Sequence, residues 1–343
     1  MSDDYLWDRS GPSDPEVERL ESVLAPLAHD GARPLRLPAP VVRRSPRTLA
    51  AIAALAGAAM LAVIAGGWWL LARPRVTTPA WTVTATAGTP TIESRRIGTR
   101  GELRAGAWLE THESGKASID VGTIGVVDVE PQTRIGLVSA RAGDYRLHLA
   151  RGTMRATIWA PPGQFFVQTP SSVAVDLGCA YTLTVDDGGA GIVRVRLGWV
   201  GFGWRGREAF IPAGAMCRTR PGIGPGTPRY EDAAESFHAA IDAVDFGTAG
   251  ERPAALARAL ALARDRDAMT LWHLLSTVDV RDRDRVFETL ARFVPPPPAV
   301  TGDGIRAGRR DMLDAWWDAL GLGTASWWRT WKQPWQDDTQ GGR

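Results

Sequence analysis

The sequence predicts a multidomain membrane protein: a short cytoplasmic α-helical segment, one transmembrane helix, an all-β domain of sandwich, roll or solenoid type, and a C-terminal α-helical domain. Three observations predict it. An uncharged stretch runs from Leu49 to Ala72, apolar residues recur with period two between about Pro79 and Arg220, and the period turns helical beyond that. The expected boundaries are residues 1–30 for the first helical segment, 31–48 for a basic, Pro-rich linker, 49–72 for the span, 79–220 for the β-domain and 229–335 for the helical, Trp-rich domain.

Composition sets the outer limits. The chain has 343 residues, 44% hydrophobic and 23% charged, which is ordinary globular usage and long enough to bury sizeable cores. A net charge of +2 gives no nucleic-acid footprint, so no direct nucleic-acid partner is expected.

The first segment is acidic, with Asp3, Asp4, Asp8, Asp14, Glu16, Glu18, Glu21 and Asp30 set against Arg9 and Arg19. Ser13 followed by Glu16 has capping-box spacing, Pro15 suits a first helical turn, and Val17, Leu20, Leu24 and Leu27 then share one helical face. So short a segment has no core of its own to cover that stripe, so the stripe is the candidate partner-binding site. A solubilising tail is the plainer alternative.

The uncharged stretch of about 24 residues would rise roughly 36 Å as a helix, enough to cross a bilayer once. Arg33, Arg36, Arg43, Arg44 and Arg47 precede it and only Arg73 and Arg75 follow closely, which places the N-terminus in the cytoplasm. Trp68 and Trp69 then fall at the far interface. The expected topology is a single pass with the later domains on the exported side.

In the β region, Ala117, Ile119 and Val121 alternate with polar neighbours. So do Tyr145, Leu147 and Leu149, then Met154, Ala156 and Ile158, then Val173, Val175 and Leu177. Tyr181, Leu183 and Val185, Val193, Val195 and Leu197, and Val200, Phe202 and Trp204 continue the pattern. Pro221 to Gly226 is expected to be a linker. Beyond it Phe237, Ile241 and Val244 share a helical face, Asp267 is placed to cap a helix carrying Leu271, Trp272 and Leu275, and Val286, Phe287 and Leu290 mark another. Met312, Leu313, Trp316, Trp317 and Leu320 mark the last, with Gly321 placed to end it. Trp272, Trp316 and Trp317 sit at core spacing, whereas Trp327, Trp328, Trp331 and Trp335 are the ones that could form an exposed platform.

Chemistry-bearing motifs are absent. His29, His112, His148, His238 and His273 lack ligand spacing, Gly115-Lys116 lacks the rest of a phosphate loop, and no Gly-x-Ser-x-Gly elbow occurs. No enzyme, metal or cofactor is expected. Cys179 and Cys217 are the only cysteines; on the exported side they form a candidate disulfide, the alternative being two separately buried thiols.

Thr169-Pro170, followed by Val173, Val175, Leu177, Gly178, Tyr181, Leu183 and Val185, resembles the central signature of the FecR family. Gly115-Lys116-Ala117 through Gly125, Pro131, Thr133, Leu147 to Gly152, then Val195, Gly198, Val200 and Pro212-Ala213-Gly214 resemble its flanking strands in order. The resemblance covers roughly 101–220 and departs where the usual Gly-Thr is Gly178-Cys179 and where the chain after Arg220 is helical. It implies a signalling regulator of the bacterial inner membrane whose periplasmic β-domain senses an envelope state and whose cytoplasmic helix binds an extracytoplasmic-function sigma factor. The alternative is a non-signalling scaffold that binds cell-wall polymer or another envelope protein.

Overall fold

A computed structural model describes residues 15–27 and 80–326. The chain divides into two units, Met1–Pro74 and Arg75–Arg343. In the first, Pro15–Leu24 forms helix α1, followed by a single 3₁₀ turn at Ala25–Leu27. Pro15 opens the helix at a position where its missing N–H costs nothing.

The second unit begins as a curled, mostly antiparallel β-sheet. Ala80–Ala87 pairs with Arg100–Arg104 and with Lys116–Asp120. The long strand Asp144–Ile158 then ties two parts of the sheet together. Its first half lies between Arg134–Arg141, which runs antiparallel, and Phe165–Gln168, which runs parallel to it. Its second half lies between Gly125–Val129 and Ala180–Val185. The buried side chains change parity on the way, from Leu147 and Leu149 to Met154, Ala156 and Ile158, and the register slips between Leu149 and Arg151. Gly152 carries the change at φ +93, where a Cβ would collide with Thr133. The Thr133 hydroxyl lies 3.2 Å from the Thr153 carbonyl and accepts from the Thr153 N–H at 2.9 Å, fastening the bend.

The sequence read this stretch as two strands; it is one. Elsewhere the alternation holds at Ile119, Leu183 and Val193, all fully buried, but it fails at Val173–Asp176, where Ala174 and Asp176 are buried along with Val175, and Leu197 is 67% exposed at the end of its strand.

The expected linker is a tight turn at 221–223 that leads straight back into the sheet. Gly224–Pro225 pairs with Thr219 and Arg220, and residues 224–230 are buried. Gly224 lies against the Trp204 ring and Gly226 against Asp245 and Phe246, so these glycines serve close approach rather than flexibility.

The helices follow: α2 (Glu235–Phe246), α3 (Arg252–Leu262), α4 (Ala268–Thr277), α5 (Arg283–Phe293), α6 (Gly302–Arg306) and α7 (Arg310–Ala319). Phe237 and Ile241 of α2, Leu271 and Leu275 of α4, Val286 and Leu290 of α5, and Trp316 and Trp317 of α7 join the sheet residues in one continuous core. Asp267 precedes α4 as expected but does not cap it directly. It accepts from the Arg264 backbone N–H at 3.0 Å and from the Arg264 guanidinium, closing a capping box around the turn before α4.

The expected membrane-protein fold class is corrected. Among the described residues no helix is long and apolar enough to cross a membrane. The 12 residues of α2, the longest described helix, rise only about 18 Å, against the 20 or so apolar residues a span requires. The stretch Leu49 to Ala72, on which the single-pass expectation rested, lies outside the described residues, as do Trp327, Trp328, Trp331 and Trp335. What the structure describes is a curled β-sheet with C-terminal helices packed on it.

Candidate functional site

Among the described residues nothing covers the predicted stripe on α1. No residue of the helix is buried; Leu20 is 60% and Leu24 52% exposed, and Val17 is half-buried. Leu27 falls in the 3₁₀ turn, so it leaves the α-helical register of the other three, and its side chain is not described. Val23, 68% exposed, widens the stripe and was missed because the motif steps four residues from Leu20 to Leu24 and passes over the residue three on. Glu16, Glu18, Arg19 and Glu21 make the remainder of this short helix net acidic.

Cys179 and Cys217 are both buried and unbonded. The topology keeps them apart. Ala180, next to Cys179, pairs with Leu197, whereas Cys217 pairs with Val193 from the opposite side of the same strand. Two strand spacings and four residues along the strand amount to roughly 15 Å, beyond the ~7 Å limit between bridged Cα atoms. The expected disulfide is therefore replaced by its alternative.

Each thiol has a local role instead. The Cys179 thiol donates to Asp176 Oδ2 at 2.6 Å, while the Gly178 N–H donates to Asp176 Oδ1 at 2.7 Å across a turn in which Gly178 has φ +83. Burial raises the Asp176 carboxyl to about 7, against the opposing pull of these two hydrogen bonds. Burial, then the neighbouring Asp176, pushes the Cys179 thiol far up; burial does the same at Cys217, whose thiol lies 3.3 Å from the Gly226 carbonyl. Thiols held protonated in this way are poor nucleophiles.

A polar network joins α2 to the end of the sheet. Asp245 accepts from the Thr227 N–H at 2.6 Å and the Thr227 hydroxyl at 2.8 Å, and burial raises its carboxyl. The fully buried Arg229 donates from Nε to His238 Nδ1 at 2.9 Å and from Nη2 to Asp242 at 2.6 Å. This network anchors the helix and holds no nucleophile beside a base.

Next to it, a cleft of about 500 Å³ opens between the strand Arg207–Pro212, the ends of α2 and α4, and the starts of α3, α5 and α7. His273 sits in its wall with both ring nitrogens occupied: Nε2 accepts from the Phe210 N–H at 3.1 Å and Nδ1 lies 2.8 Å from the Met269 carbonyl. This fixes the neutral Nδ1–H tautomer, and burial lowers the ring to about 4. The cleft gave no sequence signal because its wall is drawn from segments scattered over a hundred positions. Among the described residues, no group of three or more His, Cys, Asp or Glu is placed to hold a metal ion.

No family model matches the chain, and no curated protein matches it. Solved structures do: two crystal structures of a candidate anti-sigma factor from Parabacteroides distasonis are similar over 38% of this chain, at 14% identity and a TM-score of 0.33. The chain spans 63% and 62% of those two, less than two thirds of their length.

Proposed function

We propose that the chain is a non-catalytic regulator that binds an extracytoplasmic-function sigma factor through α1, with the β-rich unit reading the signal. The carrying observation is the uncovered apolar face of α1, with Leu20, Val23 and Leu24 each more than half exposed on a helix that buries nothing. An amphipathic helix of this size is only marginally stable in water and gains its order by laying that face into a groove on another protein. The acidic flank then favours a groove with a basic rim.

The test is co-purification of the full chain with the sigma factor encoded beside it. Binding that is lost when Leu20→Asp and Leu24→Asp are combined supports the proposal. Binding that survives the double substitution, or no binding by the unaltered chain, overturns it.

A further inference from the structure

We propose that the cleft between the sheet and the helices binds a small organic oxyanion, a molecule carrying phosphate or several carboxylate groups. Arg207, Arg252, Arg283 and Arg310 line it, and among the described residues none of the four has a carboxylate within ion-pair distance. Arg283 donates Nη1 to the Arg306 carbonyl at 2.9 Å and leaves its Nε buried without a partner. The carboxylates in the same wall have other partners, Arg281 of that wall among them. Arg281 lies 3.3 Å from Asp279 and 3.9 Å from Asp282, Asp245 is taken by Thr227, and Glu208 has contacts of its own. Arg207 acts on Asp245 only at longer range.

Unpaired guanidinium groups gathered at one concave surface repel each other, and an anion relieves that repulsion while accepting several charge-assisted hydrogen bonds. The backbone adds to the same field. Arg252, Arg283 and Arg310 are the first residues of α3, α5 and α7, helices of 11, 11 and 10 residues, and no side chain caps any of the three starts. At α3 and α5 the first N–H is already taken, that of Arg252 by the Thr248 carbonyl and that of Arg283 by the Val280 carbonyl, so what these starts add is the positive end of their dipoles. Trp272, Leu256 and Leu313 provide an apolar part of the lining, so the site suits an organic body bearing the anionic groups rather than a bare ion.

This inference is independent of the α1 reading, because it requires no protein partner. It is tested by isothermal titration of the full chain, at low and moderate salt, with three probes: inorganic phosphate, pyrophosphate and citrate. Saturable 1:1 binding of pyrophosphate or citrate, weakened at least about tenfold by combining Arg252→Gln and Arg310→Gln, supports the site. Preference for citrate over pyrophosphate would assign the carboxylate class, and the reverse the phosphate class. Both arginines are exposed, so the variant is expected to keep its fold; the single substitutions, each weakening binding, replace it if its unfolding midpoint falls. Arg258→Gln, on α3 away from the cleft, serves as the charge-matched control for the single substitutions. No binding of any probe overturns the proposal. So does binding that Arg258→Gln weakens as much as the cleft variants do, or that the cleft substitutions leave unchanged.

Discussion

Helices α1 and α7 are each ten residues long, each has an acidic residue in its first turn, and each gathers its large apolar side chains on one face. Their fates differ. In α7, Trp316 and Trp317 are fully buried; the Trp316 indole N–H donates to the Val294 carbonyl at 3.1 Å, and the Trp317 ring packs 4.7 Å from that of Trp272. In α1 the corresponding face is open. Pattern alone therefore specifies a helix and the side it would bury, while a surface of the right shape decides whether burial happens.

The largest expected effect is on the covered side. Trp316→Ala should cost about 3–5 kcal/mol by urea denaturation, since it opens a large cavity and strands the Val294 carbonyl. A loss below about 1 kcal/mol would show that α7 contributes little to the core.

Next comes Asp176. Its folded carboxyl titrates near 7 against an ordinary value of 3.8, so it adds stability that is complete below about pH 4 and is lost as pH rises through 7. Asp176→Asn removes that dependence. Relative to the unaltered protein, the variant should gain on the order of a few kcal/mol between pH 4 and 8, and parallel stability curves would refute it. His273 has the opposite sign. Lowered to about 4 in the fold, it adds stability that is complete above about pH 6.5 and is lost as pH falls towards 4. His273→Gln should flatten that acid limb by on the order of 3 kcal/mol, again by urea denaturation.

The smallest effect belongs to α1. Leu20→Ala should change stability by less than about 0.5 kcal/mol. A larger loss would mean that the face is covered after all, and the contrast between the two helices would disappear.

Much of the sheet was legible because burial on one side imposes period two, and the residues at Ala117–Val121 and Tyr181–Val185 obey it. Even the bend in Asp144–Ile158 was present as a change of parity between Leu149 and Met154, although a gap in the pattern looks the same whether the chain turns back or continues through a bulge. The Pro221–Gly226 segment misled because glycine and proline mark both flexible connections and places where bulky rings must approach the backbone. The two cysteines misled because an even count says nothing about the strands between them. The arginines of the cleft were invisible individually, since Arg207, Arg252, Arg283 and Arg310 meet only after the helices fold back on the sheet.

The strand shared by both parts of the sheet has a mechanical corollary. Asp144–Ile158 is laced to neighbours at both of its ends, so peeling either part away breaks bonds along the same backbone segment. Partial opening therefore offers little relief, and the amides of residues 147–156 should exchange with solvent only when the whole unit comes apart.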